Sequence, residues 1–149
     1  MLTPAQRERI VSILDAADDL TIATLREDGY PQATTVSFVN DGLAIYFGTW
    51  ALSQKAQNIA RDARVSVTVD LPYKTWDQIK GLSLGGRARL VTDPSELAKI
   101  GELMFEKFPQ LKQFDASMGA EMALYRIDAE VISILDYAQG FGHTELATV

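Results

Sequence analysis

Thr49, Ser53 and Lys55 crowd the point where the apolar run Tyr46-Phe47-Gly48 gives way to a helical pattern, Gln54-Lys55-Ala56-Gln57-Asn58-Ile59. A strand ends there and a helix begins. The first turn of a helix leaves backbone N–H groups unpaired and carries the positive end of the dipole. Two hydroxyls and an ammonium added to that turn make a pocket suited to a phosphate. The glycines of a Walker loop or a Rossmann turn are absent, so neither nucleotide fingerprint applies. The phosphate need not be transferred; such a pocket can serve only to anchor a cofactor whose chemistry happens elsewhere.

The elements that must position this junction are punctuated clearly. Thr3, Pro4 and Gln6 form a capping box with proline at the first helical position. Ile10, Ile13, Leu14 and Ala17 follow at helical spacing. Asp15, Asp18 and Asp19 close that helix as a solvated end. Strands are expected at Leu20–Leu25, from Pro31 to about Val39, at Leu43–Gly48 and at Arg64–Asp70. Asp28-Gly29 and Asn40-Asp41-Gly42 supply the turns between the first three. The helix after Ser53 turns Ala56, Ile59 and Ala60 to one side. A long strand over Ile79–Val91 is interrupted at Gly85-Gly86. A second capping box, Asp93-Pro94-Ser95-Glu96, starts a helix that Pro109 stops. A last strand lies within Met122–Asp136, and a tail follows from Tyr137. Short strands joined by hairpin turns favour an antiparallel barrel, mainly β with flanking helices, over a parallel sheet.

The composition narrows the partners. The 149 residues suffice for one domain spanning 1–149 with a real core, and 47% are hydrophobic. A net charge of −6 with no basic cluster excludes a nucleic-acid surface. No apolar run approaches a membrane span, and the first residues lack an apolar signal core. No cysteine is present, which removes disulfides, thiol redox chemistry and thiolate metal sites. A cytoplasmic protein is expected.

The order of these pieces resembles the pyridoxamine 5′-phosphate oxidase-like family, the FMN-binding split β-barrels. The resemblance rests on Asp28-Gly29-Tyr30-Pro31, Asp41-Gly42, Tyr46-Phe47-Gly48-Thr49, Ser53-Gln54-Lys55-Ala56-Gln57-Asn58-Ile59 and Asp62-Ala63-Arg64-Val65-Ser66-Val67. Gly81 and Gly86-Arg87-Ala88 also fit it. It implies a homodimer with FMN in a groove between protomers. The FMN phosphate would be held by Thr49, Ser53 and Lys55. The backbone near Thr35, Val36 and Ser37 would follow the edge of the flavin ring. The oxidases themselves place arginines where this chain has Thr34 and Gln54, and they close with an arginine-bearing segment where this chain has Gly140-Phe141-Gly142-His143-Thr144-Glu145. A phosphomonoester carries about −1.5 to −2 charges, so Lys55 and the helix start must balance most of it. Arg61, Arg64 or a residue of a second chain could help. The resemblance therefore implies a flavin-binding relative that acts on another small molecule.

Trp50 and Trp76 are candidates to pack on a flavin ring, Trp76 because its loop faces the groove in relatives; aromatics of this size also fill cores and interfaces. Relatives bind deazaflavin F420 or haem, so both remain open as cofactors, with His143 the sole histidine available as an axial ligand. No Ser–His–Asp triad can be built around His143. In a glycine-rich tail the hydrogen-bonded structural histidine is the favoured reading. Arg87 and Arg89 read as an ion-paired strand face. A non-catalytic flavin-binding or stress-associated protein is the alternative to an enzyme.

Overall fold

The computed structural model of the chain describes residues 1–114 and 116–149, apart from the side chains of Ala116 and Met118. Helix α1 (Pro4–Ala16) starts as its punctuation dictates: Thr3 Oγ1 accepts from Gln6 N at 3.1 Å, and Gln6 Oε1 accepts from Thr3 N at 2.9 Å. Its inward face buries Ile10, Ile13 and Leu14 in the main core. Strands β1 (Asp19–Leu25), β2 (Pro31–Ser37), β3 (Val39–Asp41) and β4 (Ala44–Trp50) follow. Helix α2 (Gln54–Arg61) leads to β5 (Arg64–Asp70) and β6 (Lys80–Leu90). Then come α3 (Pro94–Lys107), α4 (Ala116–Ala120), β7 (Met122–Asp136) and β8 (Thr144–Thr148).

All pairings are antiparallel, and the sheet order is β2-β1-β5-β6-β7-β4-β3, with β8 also on β7. The ends curl towards each other, since β2 returns to lie near β4 without a ladder between them. This is the split barrel. Its interior holds Ile22, Phe47, Val67, Leu82, Leu84, Ile127, Ile132 and Ile134, all but excluded from solvent.

The extended run after Pro31 is two strands, not one. β2 pairs with β1 as far as Ser37, and β3 pairs with β4 from Val39. At the joint, Phe38 and Val39 are both buried, which breaks the strand alternation. Val39 turns to a second core with Tyr46, Val91 and Ile100, where α3 covers the outer face of β4. Strand β4 is therefore buried on both faces. The α3 start is capped by Asp93, which accepts from Glu96 N at 2.9 Å. The capping box is one-sided. The Glu96 carboxylate turns away to accept from Tyr46 Oη at 2.8 Å and from the Arg89 guanidinium. At the other end of α3, Lys107 Nζ donates to the carbonyls of Ala17 and Phe38.

Strand β7 carries a bulge. Gly85 faces Val131 and Gly86 faces Ala129, which leaves Glu130 unpaired in that ladder. The Glu130 carbonyl accepts instead from Val149 N at 3.0 Å. A Cβ on Gly86 would lie 2.3 Å from the Asp128 carbonyl oxygen, so the bulge needs glycine for close approach, not for its φ. The tail beyond Tyr137 adds β8, a strand absent from the sequence expectation.

Gly86→Ala should lower stability by about 1–3 kcal/mol, as overpacking does. Gly101→Ala, inside α3 with open space around it, should raise it by about 0.5–1 kcal/mol. Urea unfolding of the two variants checks both signs.

Candidate functional site

The junction between β4 and α2 is built by short-range bonds. Ser53 N donates to Trp50 O at 3.0 Å, and Ala51 N donates to Glu121 O at 2.9 Å. These close the turn that aims α2 back across the barrel end. Ser53 is the N-cap: its Oγ accepts from Ala56 N at 3.1 Å. The same Oγ accepts from Thr49 Oγ1 at 3.1 Å. Thr49 is 8% exposed, near the end of β4. Ser53 thus accepts twice, and its own proton remains for a further acceptor.

The backbone N–H groups of Gln54 and Lys55 take no partner among the described residues. The Lys55 ammonium is half-buried and forms no ion pair or hydrogen bond with them either. Burial pushes its pKa down from the ordinary lysine value, because the charged form is desolvated without compensation. Two amides, a hydroxyl proton and a cation uncompensated among the described residues belong to one helix start. The donor set suits a phosphomonoester.

Gln54 does not join this set with its side chain. Its Nε2 reaches back to Asn58 Oδ1 at 2.8 Å. Asn58 is fully buried and donates from Nδ2 to Thr24 Oγ1 at 3.0 Å and to Gln32 Oε1 at 3.2 Å. This network ties α2 to β1 and β2. The buried positions of α2 are Ala56, Asn58 and Ile59, while Ala60 is exposed, contrary to the expected face. The signal for Asn58 was an amide between Ala56 and Ile59, paired with Gln54 one turn earlier.

The expected strand-two residues divide between two faces. Thr34 and Val36 point inward and are half-buried, whereas Thr35 and Ser37 point outward and are exposed. Thr35 Oγ1 lies 3.4 Å from Thr21 Oγ1, and Ser37 Oγ donates to Asp19 Oδ1 at 3.1 Å. Trp50 ends β4 half exposed, opposite Met122. Arg61 and Arg64 are engaged elsewhere: Arg61 donates to Leu25 O at 2.6 Å, and Arg64 pairs with Asp62 at 2.7 Å. That pairing holds the Asp62 carboxyl down at about 2. Arg87 and Arg89 face Glu130 and Glu96 at 3.3 and 3.1 Å, an ion-paired face as expected.

Trp76 lies far from this junction within one chain. Thr49 pairs with Ala123 at the start of β7, while Trp76 precedes β6, whose Lys80 pairs with Asp136 at the far end of β7. The separation is about 40 Å along the strand at 3.3 Å per residue. Trp76 is 66% exposed and packs on Phe141, ring centroids 5.6 Å apart; Phe141 meets Tyr137 edge-on. His143 is in the same turn, where its carbonyl accepts from Asp136 N at 3.1 Å. Among the described residues no cluster of acids and histidine is placed to hold a metal ion, and no helix is long and apolar enough to cross a membrane.

The chain matches the pyridoxamine 5′-phosphate oxidase family over residues 7–136, and it belongs to that family. No curated protein matches it. Among solved structures it is similar to a conserved hypothetical protein of Mycobacterium tuberculosis, at 28% identity and a TM-score of 0.78, covering 99% of this chain and 93% of that one. A heme binding protein from Mycobacterium smegmatis is 20% identical with a TM-score of 0.78; the match covers 99% of this chain and 59% of that one. General Stress Protein 26 from Bacillus anthracis is 19% identical with a TM-score of 0.68, covering 96% and 98%. The last two likenesses concern the fold alone.

Ser53→Ala should cost about 1 kcal/mol of stability, and Ser53→Asp should restore it, since aspartate caps as well as serine and favours the helix dipole. Urea midpoints for the three proteins check this. Equal stability would mean that Ser53 does not cap.

Proposed function

We propose that this protein is an FMN-binding oxidoreductase that works as a homodimer on a small molecule other than pyridoxamine 5′-phosphate. The observation that carries the reading is Lys55: a half-buried cation without a partner among the described residues, beside two backbone N–H groups that also lack one there, in a chain of this family. FMN, when bound, supplies two-electron transfer. The chain's part is to bind and orient it. Lys55 and the amides of Gln54 and Lys55 hold the phosphate. The Ser53 hydroxyl donates to it, and Thr49 fixes that hydroxyl. The outer edge of β2, which has no ladder partner beyond β1, offers backbone groups to the ring near Thr35, Val36 and Ser37. Trp50, half exposed at the end of β4 beside the junction, would border the ring.

A different substrate follows from charge. Thr34 and Gln54 stand where the resemblance places arginines of the oxidases, and the chain has Gly140-Phe141-Gly142-His143-Thr144-Glu145 where they carry an arginine-bearing segment. A second phosphate would be desolvated with no cation to balance it, which is costly.

Lys55→Ala should weaken FMN binding roughly tenfold or more, the worth of a charge-assisted hydrogen bond. Riboflavin affinity should not change. Arg87→Ala, whose partner is Glu130, should leave both alone. The pH dependence has a definite sign. Lys55 titrates below the ordinary lysine value in the free protein and rises when a phosphate neutralises it. FMN affinity therefore falls as pH rises through the free-protein value, and Lys55→Ala abolishes that alkaline loss. Fluorescence titration measures all of this; an unchanged FMN affinity in Lys55→Ala would remove the assignment. The absorbance spectrum of the purified protein comes first, and a Soret band in place of flavin absorbance would favour haem.

The homodimer is supported by the outer sheet face. Across it, Thr35, Thr21, Thr68, Ser83 and Ser133 stand in one cross-strand row, and Ala33, Ala23, Ser66, Gly85 and Val131 in the next. None is charged and none is bulky, so a second chain can approach closely. Trp76 and Phe141 would then meet a ligand anchored at the other copy's Lys55. Light scattering at micromolar concentration should give twice the 16.4 kDa of one chain; a stable monomer with FMN bound would overturn this.

A further inference from the structure

We propose that Asn58 is the positioning residue of the phosphate anchor, an inference that rests on the FMN reading above. Helix α2 has eight residues, and the apolar side chains it buries are Ala56 and Ile59. Apolar contact of that size resists separation but not rotation or sliding, because it has no direction. Hydrogen bonds have direction. Arg61 ties the exposed C-terminal end of α2 to the Leu25 carbonyl, while the buried bonds nearer the helix start, to β1 and β2, are made by Asn58. Both Nδ2 hydrogens are spent, one on Thr24 of β1 and one on Gln32 of β2. Its Oδ1 accepts from Gln54, the first residue of the helix. Gln54 also contributes one of the two free backbone N–H groups, and Lys55 contributes the other with the ammonium. The chain of contacts thus runs from the β1–β2 hairpin through Asn58 to the donors themselves. It fixes the rotation of α2 about its axis, and with it the direction in which Lys55 points.

Asn58 is fully buried, and an apolar residue of similar size would serve packing alone at lower desolvation cost. The amide instead spends its full donor capacity on two different strands. A role in orientation accounts for that; a role in filling space does not.

The test compares FMN with riboflavin, because their affinity ratio isolates the phosphate. In the wild-type protein the ratio should favour FMN strongly. Asn58→Ala should reduce the ratio roughly tenfold, about the worth of one well-placed hydrogen bond to a charged group. Thr24→Val, which keeps shape and removes one acceptor, should reduce it in the same direction by less, and it serves if Asn58→Ala does not fold. In a Lys55→Ala background both changes should reduce the ratio by less, because only the amides and the Ser53 hydroxyl remain to be misplaced. If both variants melt earlier yet keep the wild-type ratio, Asn58 is only structural and the inference is overturned. If the wild-type protein binds FMN and riboflavin equally, the anchor reading fails and this inference falls with it. The two failures are separated by the wild-type measurement.

Discussion

The structure depends on one long strand that changes partners halfway. Along one edge, β7 pairs with β6 over residues 125–136, save at the bulge. Along the other, residues 122–127 pair with β4 and residues 131–135 pair with β8. A straight strand cannot serve both neighbours on a closed surface, since the sheet must bend between them. The bend falls at Glu130, between the two partners, and it is made by one extra residue. Gly86 admits the Asp128 carbonyl where any side chain would collide. Val149 N satisfies the carbonyl that the bulge frees. Sterics, register and hydrogen bonding thus agree at a single point.

That strand also sets the distance between the features that could serve a ligand. Its first residues hold β4 in register, and so place Thr49 and the start of α2. Its last residues hold β6 and β8, and so place Trp76, Phe141 and His143. The anchor and the aromatic turn belong to opposite ends of that strand. The same geometry leaves the small-residue face of β1, β2, β5 and β6 without a covering layer.

Local chemistry was legible in the sequence; choices between distant partners were not. The caps at Thr3, Ser53 and Asp93 were readable because a cap involves residues three apart. The interruption at Gly85-Gly86 was readable because paired glycines in a strand have few other uses. The split at Phe38 was not, because it arises when the chain leaves β1 for β4. Nothing in Val39-Asn40-Asp41 alone distinguishes the two. Strand β8 was missed because Thr144–Thr148 is short and its pairing with β7 is the only reason it is extended. Glu96 was read as half of a capping box, yet Arg89 on the preceding strand and Tyr46, far off in sequence on β4, compete for it. Thr49, Ser53 and Lys55 were found together because they share one turn. Asn58 escaped because its partners, Thr24 and Gln32, lie on another hairpin.

The charge arithmetic of the junction follows from these placements. Arg61 and Arg64 lie close in sequence to Lys55, but neither can assist it. Arg61 sits at the C-terminal end of α2, about 10 Å along the axis from Gln54 at 1.5 Å per residue, and caps the Leu25 carbonyl. Arg64 is held by Asp62 beyond the helix. Gln54 is turned back onto Asn58, so the residue nearest Lys55 stabilises the helix instead of adding a donor from its side chain. Lys55 is left as the one positive side chain at the helix start among the described residues. Its burial carries a desolvation cost that nothing among the described residues offsets. Burial without compensation is unfavourable for an isolated protein, and it is the condition under which an incoming anion gains most. Each surrounding cation that is committed elsewhere raises the share of any bound phosphate that Lys55 must carry.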